Sequence, residues 1–121
     1  MLEQINFLAR KTDKLLAEKG EGFGLSPFLM RVLIIILNNP RITGDAITKR
    51  MAVDKALVTR SVQQLEKKGY VKREPNPSDK RSSYLLPGNL ILDRQEEIFA
   101  AEQECEALIK RVAAIENLKF F

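Results

Sequence analysis

Gly69 constrains this chain more than any other residue, because of what lies on either side of it. Before it, residues 54–68 have the period of an amphipathic helix. After it, Tyr70 to Glu74 and Ser82 to Leu86 read as two short strands around the turn-forming run Pro75-Asn76-Pro77-Ser78-Asp79. A glycine between them supplies the left-handed cap that ends a helix and turns the chain. The segment is therefore a helix leading straight into a β-hairpin whose tip is Asp79-Lys80-Arg81. Such a pair suits a duplex. A helix fits the major groove, and a basic hairpin tip can reach phosphates or the minor groove.

At about 100° per residue, Val58, Val62 and Leu65, with Ser61 beside them, fall on one side of the helix and must face a core. Ala56, Thr59, Arg60, Gln63 and Lys67 fall on the other. Arginine can bond guanine bidentately and glutamine can do the same for adenine, while Ala56 lets the helix end approach closely and can touch a thymine methyl. Lys55 can meet a phosphate together with the free N–H groups of the helix start. In the hairpin, Lys72 and Arg73 lie on one strand, and Lys80 and Arg81 at the tip. Arg81 suits a narrow, electronegative minor groove. Asp79 suits a structural role, accepting backbone N–H bonds in the turn or holding an arginine. A solvated polar helix face and a solvated loop tip would share these residue types. The two side by side favour nucleic acid.

The rest of the chain frames this segment. Leu2 to Lys19 has a helical stripe of Ile5, Leu8, Thr12, Leu15 and Leu16, followed by a glycine-rich connection at Gly20, Gly22 and Gly24 that is expected to be flexible. Ser26-Pro27 is a helix start, and Phe28 to Leu37 continues it as a helix buried nearly all round. Asn38-Asn39-Pro40 stops it, and Arg41-Ile42 is a short extended piece. A helix then runs from Thr43 or Gly44 to about Met51, Ala52-Val53 turns the chain, and Asp54 caps the next helix. Short helix, tight turn and second helix make a helix-turn-helix. After Pro87-Gly88, one long helix is expected from about Asn89 to Ala114. Ile91, Ile98, Cys105 and Val112 recur every seven residues, with Ala101, Leu108 and Ile115 in a second seam that only Arg94 interrupts. A seam of this length is hard to cover within one chain. With the apolar face of the first helix it predicts a homodimer interface, the alternative being packing against the first helix within one chain.

Charge follows the same division. The chain has 121 residues and a formal net charge of +4. Arg41 to Arg81 holds eleven Lys/Arg against five Asp/Glu, and the remainder nine against eleven. The middle third is therefore basic, which points it toward a polyanion. One cysteine, Cys105, and no histidine leave no intrachain disulfide, no thiol-based metal site and no common catalytic base. With no phosphate-binding glycine loop either, neither an enzyme nor a cofactor is expected. The longest apolar run, Val32 to Leu37, is far short of a membrane span, so no membrane partner is expected and a cytoplasmic location follows. Cys105 fits a small buried hydrophobe better than a redox sensor.

Val53-Asp54-Lys55-Ala56-Leu57-Val58-Thr59-Arg60, then Leu65-Glu66-Lys67-Lys68-Gly69-Tyr70-Val71-Lys72-Arg73, then Asp79-Lys80-Arg81 resemble the MarR family of bacterial winged-helix transcriptional regulators. The match is dense from about Ser26 to Leu86 and looser toward both ends. It implies a mainly α fold with a small β-hairpin wing, in which residues 26–87 form a winged helix-turn-helix. Residues 1–25 and 88–121 would be dimerisation helices of the same single domain. It further implies a homodimeric regulator, a repressor, that binds a near-palindromic operator in double-stranded DNA. By resemblance, Lys55, Ala56, Thr59, Arg60 and Gln63 lie in the recognition helix (54–68) and Arg81 in the wing (70–86). Asp79 and Arg73 fall at wing-supporting positions. Small-molecule effectors occur in the family, and the residues identify none here. Three departures stand out. Ala56 and Leu57 replace small hydroxyl residues, Leu86-Pro87-Gly88 replaces the family's Leu-Thr-x-x-Gly, and the final helix is shortened to about Ile115 to Phe121. The competing reading is a winged-helix protein-interaction module without its own operator. The polar and cationic residues Arg60, Gln63, Lys67 and Arg81 disfavour it, because protein-binding faces carry more aromatics and fewer cations.

Overall fold

A computed structural model describes residues 1–117 and resolves the chain into two compact units. One is Met1–Met30 with the chain from Glu97 onward, and the other is Arg31–Glu96. Among the described residues no single helix is long and apolar enough to cross a membrane. The expected final helix beyond Ile115 lies largely outside the described residues.

In the first unit, α1 (Leu2–Gly20) buries Leu8, Thr12, Leu16 and Gly20, a stripe at intervals of four. Thr12 can be buried because its hydroxyl donates to the Leu8 carbonyl at 2.7 Å. The glycine-rich connection is ordered where a flexible one was expected. Glu21–Phe23 forms a single 3-10 turn, the Leu25 N–H donates to the Gly20 carbonyl at 3.0 Å, and Phe23 and Leu25 are buried. Two large apolar side chains in five residues anchor a segment that glycine content alone would leave loose. α2 (Pro27–Asn38) opens with the Ser26 hydroxyl accepting the Leu29 N–H at 3.2 Å. None of its residues from Pro27 to Leu37 is exposed.

The second unit contains the helix-turn-helix. Thr43 caps α3 (Gly44–Met51), its hydroxyl accepting the Ala46 N–H at 3.2 Å. Ala52 takes a left-handed conformation, and α4 (Lys55–Lys67) follows. The core here is Val32, Leu33, Ile36 and Leu37 of α2, Ile47 of α3, Val58, Val62 and Leu65 of α4, and Val71 and Leu85 of the hairpin. Strands β1 (Val71–Pro75) and β2 (Ser83–Pro87) pair antiparallel, with Val71 opposite Pro87 and Pro75 opposite Ser83.

The short extended piece before α3 joins this hairpin. Ile42 bridges Leu85, and the Arg41 N–H donates to the Leu85 carbonyl at 2.8 Å. Arg41 itself sits at φ 74, a conformation that costs a non-glycine residue roughly 1 kcal/mol. Its hydrogen bond and the stacking of its guanidinium 4.6 Å from the Tyr84 ring centre offset that cost.

The long helix expected from Asn89 to Ala114 is two helices. α5 (Asn89–Leu92) ends at Asp93, where the Arg94 N–H turns back to the Ile91 carbonyl at 2.9 Å, and α6 (Gln95–Ile115) starts afresh. α6 buries Ile98, Ala101, Cys105 and Ala113. Val112 and Leu108 are half-buried, and Ile115 is exposed. α6 runs antiparallel to α1, with Lys19 pairing Glu104 at 3.4 Å and Phe7 near Val112 and Ile115.

Candidate nucleic-acid interface

The helix start and the wing base are both built by local backbone chemistry. At the end of α4 the Gly69 N–H donates to the Glu66 carbonyl and the Tyr70 N–H to the Leu65 carbonyl, each at 3.0 Å. This paired closure needs a positive φ, which Gly69 supplies at 78°. The chain leaves the helix directly into β1, so the wing hangs from the end of α4. After β2 the chain returns to the same point. The Gly88 N–H donates to the Tyr70 carbonyl at 2.8 Å, and the Leu90 N–H to the Gly69 carbonyl at 3.1 Å. Helix end, wing base and α5 thus meet at two glycines.

α4 buries Val58, Ser61, Val62 and Leu65. Ser61 satisfies its hydroxyl on the Leu57 carbonyl at 2.8 Å. On the opposite side Ala56, Thr59, Arg60, Gln63 and Lys67 are all exposed. The Thr59 hydroxyl donates to the Lys55 carbonyl at 3.0 Å, which leaves its lone pairs turned outward as acceptors. Asp54 occupies the N-cap position; its carbonyl accepts the Leu57 N–H at 3.1 Å, but its side chain makes no cap bond. A helix start left in this state attracts anions.

The wing tip is held by two aspartate- and asparagine-type turns in succession. The Ser78 N–H donates to Asn76 Oδ1 and the Arg81 N–H to Asp79 Oδ1, both at 3.0 Å. Backbone bonds from Asp79 to Asn76 and from Ser82 to Asp79 complete the tip. Lys80 and Arg81 are exposed there. Lower on the wing, Arg73 Nε donates to Glu66 Oε1 at 3.1 Å, tying β1 back to α4.

Between α3, α4 and the wing lies an open cleft of about 210 Å³. It brings together four of the sequence-predicted residues, Lys55, Thr59, Arg73 and Arg81, over a floor of Val58, Val62 and Leu85. Ala56, Arg60, Gln63 and Lys67 stand outside it on the exposed face of α4, and Asp79 and Lys80 outside it at the wing tip. Asp45 and Thr48 of α3 also line the cleft and were missed in the sequence. Their spacing of three, on the helix preceding the recognition helix, was the signal available. Asp45 Oδ1 lies 3.3 Å from Lys55 Nζ. Among the described residues no group of three or more His, Cys, Asp or Glu is placed to hold a metal ion.

Comparison with known proteins agrees with this geometry. The model of the MarR family matches residues 25–83, the span from the start of α2 into the wing. The multiple antibiotic resistance protein MarR of Escherichia coli is 35% identical over 77 residues, which is 64% of this chain and 54% of that protein. The HTH-type transcriptional regulator YdgJ of Bacillus subtilis is 28% identical over 112 residues, 92% of this chain and 66% of its own length. The chain therefore spans about half to two thirds of these relatives. Among solved structures, apo wild-type MarR from E. coli superposes with a TM-score of 0.75 at 26% identity, covering 99% of this chain and 85% of that one. Reduced AbfR bound to DNA gives 0.69 at 25% identity, covering 86% and 76%. On the helix-turn-helix, the hairpin wing and these matches, the chain belongs to the MarR family of winged-helix transcriptional regulators.

Proposed function

We propose that this protein is a homodimeric, sequence-specific DNA-binding repressor. In this reading α4 enters the major groove of a near-palindromic operator and the wing reaches the adjacent minor groove. The observation that carries it is the joining of two basic elements through one rigid junction at Gly69 and Gly88, around a cleft lined by Lys55, Arg73 and Arg81. Ala56, Thr59, Arg60 and Gln63 face base edges, with Thr59 offering acceptors to exocyclic amino groups. Lys55, Lys67 and Lys80 meet phosphates, and Arg81 enters the minor groove. Asp79 and Arg73 hold the wing in shape rather than touch DNA. That a related protein, AbfR, has been solved bound to DNA supports this assignment.

Residues 1–25 and 88–121 supply the dimer contacts. A groove of about 370 Å³ between the start of α1 and the end of α6 is lined by Phe7, Val112 and Ile115, and Leu2 and Ile5 are exposed close by in sequence. Apolar side chains left on one edge of a helix pair suit a two-fold copy of themselves. The site of action is the cytoplasm, where the chromosome is. A small-molecule effector acting on the dimer is compatible with this arrangement, and its chemistry is not assigned.

Binding to duplex DNA across a salt series tests this function. The logarithm of the binding constant is expected to fall linearly with the logarithm of salt concentration, with a slope of about −0.9 per phosphate neutralised. Absence of duplex binding at low salt would contradict the assignment and favour a protein-interaction module.

A further inference from the structure

We infer that Asp45 is a positioning residue that acts through Lys55, holding its ammonium away from phosphate and so weakening the sequence-independent grip on duplex DNA. The inference rests on the DNA-binding function proposed above. Lys55 opens α4, where the helix end carries partial positive charge and a cation is unfavourable. The first turn of α4 contains no acidic residue to balance it. Asp54 stands at the N-cap, and the carboxylate that pairs Lys55 directly comes from the first turn of α3, where Asp45 Oδ1 lies 3.3 Å from Lys55 Nζ. Both side chains are more than half exposed, and both line the cleft between α3, α4 and the wing.

This pair occupies the place where a phosphate would dock. The Asp54 side chain caps no N–H of α4, although its carbonyl accepts the Leu57 N–H at 3.1 Å, and an anion at the helix start would take Lys55 as its natural partner. Asp45 already holds that ammonium, and its own charge repels a second anion a few ångströms away. Arg60 differs, since it makes no ion pair among the described residues. Arg73 differs too, because its carboxylate partner Glu66 lies on the same helix–wing unit that it stabilises. Phosphate contacts are common to every sequence, whereas base contacts are not. A carboxylate that taxes only a phosphate contact therefore lowers binding to all duplexes alike and leaves base reading intact.

The test is a double-mutant cycle on a random-sequence duplex at low salt, using the wild type, Asp45→Asn, Lys55→Gln and the double variant. Asparagine keeps the size and removes the charge. Asp45→Asn is expected to tighten binding by about threefold, the scale of an exposed ion pair. It should also steepen the salt slope by about 0.9, one further phosphate. In the Lys55→Gln background the same change is expected to have almost no effect. Equal tightening in both backgrounds would make Asp45 a general repulsive charge and overturn the inference. Weaker binding by Asp45→Asn would also overturn it, because Asp45 would then be presenting Lys55 to DNA. If all four folded proteins fail to bind, the DNA-binding function itself falls. If the wild type binds and the cycle shows no coupling, the inference alone falls.

Discussion

Replacing Gly88 with alanine is expected to lower the melting temperature by roughly 10 °C, through a loss of about 3 kcal/mol typical of forced overpacking. Gly88 is buried, and a Cβ there would collide with the Gly69 carbonyl oxygen and press on the Val71 nitrogen. The obstacle is backbone, which cannot rotate aside as a side-chain tip can. Relief would require opening the bond from the Gly88 N–H to the Tyr70 carbonyl, or the one from the Leu90 N–H to the Gly69 carbonyl. Each of those is worth about 1 kcal/mol. Gly44 is the control, because a Cβ there meets nothing within 4 Å. Gly44→Ala is expected to be neutral or mildly stabilising, as alanine is in a helix. Thermal unfolding of both variants followed by circular dichroism separates the two cases. Equal melting temperatures for Gly88→Ala and the wild type would show that the junction of α4, wing and α5 is not tightly packed. The consequence reaches DNA binding, because the same junction fixes the angle between α4 and the wing.

Arg60→Ala is expected to weaken operator binding by about 1–3 kcal/mol, roughly fivefold to 150-fold, and to relax the preference at one base position in each half-site. Arg60 is exposed on the side of α4 opposite Val58, Val62 and Leu65. With no carboxylate to release, its guanidinium enters a complex at full strength. The loss is expected on the preferred sequence and not on a scrambled duplex. An equal loss on both would make Arg60 a phosphate contact instead. The fold should be untouched, since an exposed helical arginine replaced by alanine removes no buried contact.

What the sequence disclosed was local chemistry, and what it concealed was set by tertiary contacts. Gly69 marked the end of α4 because a helix closure with positive φ leaves few alternatives to glycine. The apolar run Phe28 to Leu37 reads as a helix despite its β-branched residues, because Ser26-Pro27 is a start signal that strands do not share. By contrast, the break at Asp93-Arg94 left only a faint trace, Arg94 as the one polar residue of the second apolar seam. The seam from Ile91 to Ile98 continues straight through it, and the interruption follows the short α5, which is tied to Gly69 through Leu90. Arg41 was invisible for a similar reason, since its left-handed backbone is imposed by pairing with Leu85, 44 positions away along a numbering that runs from 41 to 85. At the candidate interface, the helix face of Ala56, Thr59, Arg60 and Gln63 follows from periodicity alone. The cleft does not, because it depends on how α3 meets the wing, and that is why Asp45 and Thr48 were missed.

Selection of bound sequences from a random duplex library tests the central claim most directly. A homodimer presenting two α4 helices to one face of DNA should recover a near-palindrome, with half-sites about one helical turn apart, 10–10.5 base pairs centre to centre. Recovery of an asymmetric site, or of no enriched sequence from a protein that is folded, would contradict a two-fold, sequence-reading regulator.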